Sequence, residues 1–419
     1  MSLYSAFYAS LSGLTSNASA LGVIGNNLAN LNTVGYKDAT ASFENLYSTA
    51  LSGSGTSGNG DPMQVGLGTG LSSISTDYSQ GSPQATGTVT NMALQGNGFF
   101  TLKNQAGDAL YTRAGDFSVN TDGYLEDPSG DYVMGWNATD GVVNANGTPS
   151  PIFLNPGATS PPVATTTVSN TTNLDAAAAS GTTFTAPIEV FDSEGQSHNI
   201  EITYTATATP GTWTAAVSTD DSGVPTVTGY PSPIVFNSSG TLTTPAAGTN
   251  PTLGAITWSD GAVSPAMTVN IWSGTPPTSS LTSYAQTSGT TSTTQNGYSA
   301  GTVSGMSVDQ NGNIVGTFTN GQTMPLAQVA ISTFSNENGL SQQGSNSWST
   351  TLSSGTANVG AANSGGRGTI LGSNLESSNV DVATEFTKLI INQNGYQANS
   401  RVITTADTLL QTVISMIQA

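Results

Sequence analysis

The first 36 residues carry no charged side chain, and their apolar residues recur in alternating steps of three and four. This spacing places the apolar residues on one face of an α-helix, in the heptad pattern of a coiled coil. The stripe consists of Tyr4, Phe7, Leu11, Leu14, Ala18, Leu21, Gly25 and Leu28. A helix with an apolar face and no core of its own needs a partner to cover that face.

The end of the chain repeats the pattern, although Gln393, Ser400 and Asp407 interrupt it. Its stripe consists of Val382, Phe386, Leu389, Tyr396, Ile403, Leu410, Ile414 and Ile417. We therefore predict that the terminal segments, 1–36 and 376–419, form helices that pair as a coiled coil. Apolar surface left outside the pair would need neighbouring copies, which predicts a polymer. The alternative is two ordinary docking helices of a large globular domain.

The whole chain has 49 glycines and only 7% charged residues, and its interior is typical of a β protein rich in neutral polar residues. Asn120, Asp192, Asn237 and Asp309 each precede a glycine by three positions, which predicts tight turns between strands. The predicted fold class is mostly β with α-helical termini. We expect a linker region at 37–71, where a Gly/Ser tract spans 51–60, an inner β domain from 72–145 plus 291–375, and an inserted outer β domain at 146–290.

The charge balance excludes several kinds of partner. With 25 acidic and 6 basic residues, the formal charge is −19, which disfavours nucleic acid as a partner.

Cysteine is absent, so disulfides and thiolate metal sites are excluded. No apolar run approaches the ~18 residues of a membrane-spanning helix, and no basic segment precedes an apolar core as in a cleaved secretory signal. We expect no membrane insertion and no cleaved signal peptide.

Catalytic, cofactor and metal sites are not predicted. His198 is the single histidine and lies beside Ser197, with Asp192 nearby, but adjacent strand residues point to opposite faces. The turn that begins at Asp309 resembles a calcium loop only superficially, because its glycine comes too early and Asn320 replaces the bidentate glutamate.

Both terminal segments also carry a specific motif. The first helix is followed by an asparagine-rich run in which Gly35 is placed to end the helix. The motif residues are Asn26, Asn27, Asn30, Asn32, Gly35, Tyr36 and Lys37, together with Asn379, Asp381, Gln397 and Asn399 near the other end. This pattern resembles the signature of bacterial flagellar rod and hook proteins. Gly96–Leu102 and Pro187–His198 resemble β segments of the same family, and the second of these favours hook over distal rod.

The resemblance implies a structural subunit of the flagellar hook, a self-assembling helical tube that acts as a universal joint and transmits motor torque. The terminal helices would form the inner tube. Implied partners are copies of the chain, the distal rod, the hook cap, the hook–filament junction proteins and the flagellar type III export apparatus. The implied location is the extracellular part of the flagellum, reached with an uncleaved N-terminus. The alternatives are a distal rod protein or other axial subunit, or a Ser/Thr-rich secreted adhesin.

Overall fold

Two long helices and many short β-strands make up the computed structural model, which describes residues 3–50, 64–155, 157–221 and 227–418. The predicted fold class, mostly β with α-helical termini, is confirmed. The predicted Gly/Ser linker at 51–60 lies outside the described residues. The chain divides into two units, one made of residues 1–156, 306–316 and 324–419 and the other of 157–305 and 317–323.

The second unit begins and ends later in the chain than the outer domain that we expected at 146–290. The strand pairing explains both shifts. Ser150–Pro151 pairs with Tyr132–Thr139 inside the first unit, and Thr159–Ser160 pairs with residues 301–302 inside the second.

Helix α1 covers Leu3–Ala29 and helix α2 covers Val382–Gln418. The 37 residues of α2 span about 55 Å. Asp381 caps α2, because its Oδ1 accepts a 2.6 Å hydrogen bond from the Thr384 backbone N–H. Neither helix contains a segment apolar enough to cross a bilayer, within the residues searched.

The first unit contains a main antiparallel sheet, a two-stranded ribbon and two further strand pairs. The strands of the main sheet in this unit are Phe99–Lys103, Ala109–Thr112, Ser118–Val119, Leu125–Glu126, Tyr132–Thr139, Val142–Val143, Ser150–Pro151, Thr323–Thr333, Ser341–Gly344, Ser347–Ser349 and Asn358–Ala361. The ribbon pairs Ala39–Asn45 with Thr69–Thr76 and Ser48–Ala50 with Gln64–Gly66. Pro83–Ala85 pairs with Asn374–Glu376, and Met92–Gln95 pairs with Thr369–Gly372. The range expected as a linker, 37–71, therefore contains strands.

The second unit contains two five-stranded sheets. One sheet consists of Thr183–Phe191, Ser197–Ala206, Thr212–Thr219, Ile234–Phe236 and Leu242–Thr244. The other consists of Thr167–Asn173, Thr252–Leu253, Met267–Val269, Leu281–Thr282 and Gly289–Gln295. Short pairs join Ile256–Thr257 to Val263–Ser264 and Trp272–Ser273 to Thr278–Ser279. Gly301–Val308, Asn313–Phe318 and Thr323–Thr333 each contain residues of both units. A 3-10 turn covers Glu337–Gly339.

The four predicted turns are confirmed. In each, the Asn or Asp side chain accepts a hydrogen bond from the backbone N–H two residues later, and the glycine has a positive φ of 75–87°. A side chain with a Cβ rarely adopts this φ, which explains the glycine.

Each unit has its own apolar core. Alternate residues of strand Thr183–Phe191 are buried, as expected where one sheet face packs on a core. In the second unit, Tyr204 and Tyr230 are bonded to each other through their hydroxyl groups at 2.9 Å. Burial raises the pKa of Tyr204 to about 12 and raises that of Tyr230 well above its ordinary value of 10.0.

The raised pKa values of Tyr204 and Tyr230 predict that the folded protein loses stability at alkaline pH. The unfolded chain ionises both phenols near pH 10, while the folded chain keeps them neutral. Their stabilising effect is therefore fully present below pH 10 and is lost as the pH rises toward the folded-state pKa values, about 12 for Tyr204. We expect the guanidinium midpoint to fall less between pH 9 and pH 11 in the double variant Tyr204→Phe/Tyr230→Phe. Tyr47→Phe, at an 88% exposed position, is the matched control. Equal falls in all three proteins would contradict the assignment.

Candidate assembly surface

The two terminal helices pack antiparallel through small and polar residues. A Cβ built on Gly13 would lie 2.7 Å from Asn399 Nδ2, and one built on Gly395 would lie 2.9 Å from Asn17 Oδ1. Each helix therefore offers a glycine to an asparagine of the other. Among the α1 side chains that the structure describes, the buried ones are Ser10, Gly13, Ser16, Ala20, Ile24 and Asn27, which we name the shared face.

The shared face differs from the stripe predicted for α1. Leu11, Leu14, Leu21 and Leu28 each follow a residue of the shared face by one position, which places them about 100° around the helix. Leu11 is 40% exposed, while Phe7, Leu14, Leu21 and Leu28 are partly buried. Tyr4 lies within α1, but its side chain is outside the described set. Apart from Ile24, the shared face consists of small or polar side chains, and the leucines lie about 100° around the helix from it.

Helix α2 shows the same division. Leu389, Ile403 and Leu410 are partly buried, whereas Val382, Phe386, Tyr396 and Ile414 are exposed. Ile417 lies within α2, with a side chain outside the described set. Further exposed apolar residues, which the heptad prediction did not include, are Ile390, Ile391, Val402, Leu409, Val413 and Met416. A heptad stripe covers only one face of a helix. The additional apolar residues of α2 outside that stripe could have indicated a second apolar surface from the sequence.

Asn27 of the motif connects the end of α1 to the start of α2. Its Nδ2 donates to Asp38 Oδ1 at 2.6 Å, to the Ala39 carbonyl at 2.8 Å and to Glu385 Oε2 at 3.1 Å. Its Oδ1 accepts from the Tyr36 hydroxyl and from the Ala39 N–H, both at 3.1 Å. Asn27 is fully buried, so replacing its amide would leave several buried polar groups unpaired.

Lys37 of the motif forms a buried ion pair with Glu376. Lys37 Nζ donates to Glu376 Oε1 and to the Ser79 carbonyl, both at 2.7 Å, and the Gly81 N–H donates to the same carboxylate oxygen at 2.8 Å. Arg113 Nη1 lies 3.8 Å from Glu376 Oε2. Burial lowers the pKa of Lys37 and of Arg113, and the Glu376 carboxylate opposes that effect in both.

The remaining motif residues near the start of α2 fix the backbone around this ion pair. Gly35 has a φ of +67° and its N–H donates to the Glu376 carbonyl at 2.8 Å. It lies beyond the end of α1, so it shapes the following turn and does not cap the helix. Asn379 Oδ1 accepts from the Asp38 N–H at 2.7 Å, and its amide donates to the Asp77 carbonyl at 2.9 Å.

Other motif residues lie closer to solvent. Asn26 and Asn30 line an open groove of about 440 Å³. Asn32 and Gln397 are exposed. These side chains are therefore accessible to another molecule, and their part in assembly stays a prediction.

Sequence reasoning missed Arg113, Glu376 and Glu385 as site residues. All three are at least 98% buried. The sequence signal that could have identified them is the scarcity of charged residues, with only 6 basic residues in the chain. A basic residue that is buried in a core needs a buried carboxylate as its partner. The partner positions are distant in sequence and could not be paired by spacing.

The buried ion pair predicts a large effect of neutralising Glu376. Glu376→Gln keeps the shape and an acceptor for Gly81 but leaves two buried cations without a counter-charge, so we expect a loss of about 3–5 kcal/mol in the free energy of unfolding. Denaturant unfolding measures it. Glu201→Gln, on the exposed side of a strand, is the control and should change little. Similar losses in both variants would contradict the proposed importance of the pair.

Four family models match the chain: Flagella basal body rod protein at residues 7–37, Flagellar hook protein FlgE/F/G D1 domain at 93–171, Flagellar basal body protein FlaE D2 domain at 157–298, and Flagellar basal body rod FlgEFG protein C-terminal at 372–416. The chain is 33% identical to the flagellar hook protein FlgE of Treponema pallidum, over 98% of both chains. It is 33% identical to that of Escherichia coli, over 98% of this chain and 100% of the relative, and 32% identical to that of Borreliella burgdorferi, over 98% of both. The chain therefore belongs to the flagellar hook protein FlgE family.

Proposed function

We propose that the chain is a structural subunit of the flagellar hook, which self-assembles into a helical tube and transmits motor torque as a flexible universal joint. The observation that carries this proposal is the apolar surface of the terminal helices. Phe386, Ile390, Ile391 and Leu409 are each more than half exposed, and Leu11 on α1 is 40% exposed. Exposed apolar surface on this scale marks an interaction site.

The energetics favour neighbours of the same kind. Fully burying one large apolar side chain contributes about 1.5–3 kcal/mol, so covering a half-exposed one contributes roughly 1 kcal/mol. Helix α2 alone exposes Val382, Phe386, Ile390, Ile391, Tyr396, Val402, Leu409, Val413, Ile414 and Met416. The sum is comparable to the cost of ordering a subunit in a complex, which lies at about 4–15 kcal/mol. Copies of the chain present the same surface and supply the matching faces of a helical array.

The neutral surface supports a tube that bends. Charged residues make up 7% of the chain, so contacts between copies would rest mainly on apolar and neutral polar groups. Weak contacts of similar energy exchange more readily than charge-assisted hydrogen bonds, which are shorter and stronger. Such exchange is what a joint needs when each subunit moves from the inner to the outer side of a curve.

The same proposal includes the distal rod, the hook cap, the hook–filament junction proteins and the type III export apparatus as partners, at the extracellular flagellum. Packing of α1 against α2 supports retention of the N-terminal segment in the mature subunit. A distal rod protein or a secreted adhesin is not favoured, because the relatives matched along nearly the whole chain are hook proteins.

Assembly should depend on the exposed apolar residues of α2. Ile390 is 56% exposed, so Ile390→Glu should leave monomer stability within about 0.5 kcal/mol. The variant should fail to form tubes, because assembly would bury an unpaired carboxylate. Sedimentation and electron microscopy measure polymer yield, and thermal melting checks the monomer.

Val142→Glu is the matched control, since it makes the same change at a 69% exposed apolar position outside the helices. We expect it to polymerise normally. Normal tubes from Ile390→Glu, or equal failure of both variants, would show that the helical surface is not the specific assembly surface.

A further inference from the structure

His198, the single histidine of the chain, lies in a cluster with two aspartates within the second unit. Asp192 follows strand Thr183–Phe191 and His198 belongs to strand Ser197–Ala206, so one turn brings them together. His198 Nε2 lies 2.9 Å from Asp192 Oδ2. Asp260 comes from the turn between Ile256–Thr257 and Val263–Ser264. One nitrogen or oxygen atom of each of the three side chains lies within 4.8 Å of the other two.

Surrounding contacts hold two of these side chains in fixed positions. Asp192 is fully buried, and its Oδ1 accepts hydrogen bonds from the Glu194 and Gln196 N–H groups at 2.8 and 2.9 Å, which directs Oδ2 toward His198. The imidazole stacks on the Trp258 ring at 3.8 Å between centroids and an angle of 6°. Positioning of this kind orients the ligands of metal sites.

Hydrogen bonds connect the turn that contains Asp260 to the turn that contains Asp192. Its Oδ1 accepts from the Ala262 N–H at 2.9 Å. The Ser193 N–H donates to the Val263 carbonyl at 3.1 Å, and the Val263 N–H donates to Ser193 Oγ at 3.3 Å. The two turns that supply the three side chains are therefore bonded to each other.

The second unit supplies no Lys or Arg to the cluster. The sequence ranges of the second unit, 157–305 and 317–323, contain eight acidic residues and no Lys or Arg. The two carboxylates of the cluster carry a charge of −2, which a divalent cation would balance.

We propose that Asp192, His198 and Asp260 bind a divalent transition-metal ion of the Zn²⁺ type. The imidazole nitrogen suits a transition-metal ion such as Zn²⁺, which also accepts carboxylate oxygens, whereas calcium prefers oxygen donors alone. Bonds of about 2.0–2.1 Å in a tetrahedral site separate ligand atoms by roughly 3.3 Å, so small side-chain movements complete the site. Asp260 is exposed, which leaves a fourth position open to water. The ion would fasten the two turns to each other.

The test uses the full chain and Zn²⁺ itself. Calorimetric titration should show one saturable site, and the NMR signals of the single imidazole should shift on titration. Asp260→Asn should weaken Zn²⁺ binding by about tenfold or more. Because Asp260 is exposed, this variant should keep its melting temperature without metal. His198→Gln should abolish binding.

Glu194→Gln is the matched control. It removes an exposed carboxylate from the turn that holds Asp192 but leaves all three proposed ligands, so Zn²⁺ binding should be unchanged. The proposal is overturned if the natural chain shows no saturable binding at millimolar Zn²⁺. It is also overturned if Asp260→Asn binds as tightly as the natural chain, or if the imidazole signals do not respond.

Discussion

The ion pair between Lys37 and Glu376 is the interaction on which the arrangement of the first unit depends. Lys37 follows the turn after α1, and Glu376 precedes α2, so one buried contact fixes the point from which both helices extend. The Glu376 carboxylate also accepts from the Gly81 N–H, and its carbonyl accepts from the Gly35 N–H. Removing water from these charges is costly unless every partner is present, so the contact selects a single local geometry.

That geometry explains why the helices can pack so closely. Starting from the fixed junction, the antiparallel course brings Asn27 to Glu385, Asn17 to Gly395 and Gly13 to Asn399. The small residues at this contact bury little apolar area. Many of the larger apolar side chains of α2 are exposed and add little to the packing within one chain. In the proposed tube, neighbouring subunits would supply further packing for these helices.

The fold class could be predicted from the sequence because its signals are local. Heptad spacing indicates helices, and an Asn or Asp three residues before a glycine indicates turns. The shared face could not be predicted, because the heptad rule identifies contact positions by hydrophobicity. Gly13 and Gly395 lie in the contact because they leave room for an asparagine of the other helix. The partners of Lys37 and the third member of the His198 cluster were also out of reach, because Glu376 and Asp260 are brought close only by the tertiary fold.

The basic residues are unevenly distributed between the two units. All six lie in the first unit, and three of them, Lys37, Arg113 and Lys388, contact carboxylates around the junction of the two helices. Arg367 is bonded to Asn358 and Ser364 of its own chain. Positive charge is thus used mainly to fix structure within one subunit. Few cations are left to form strong ion pairs between copies, so contacts between subunits would be neutral, weak individually and exchangeable, as a bending polymer requires.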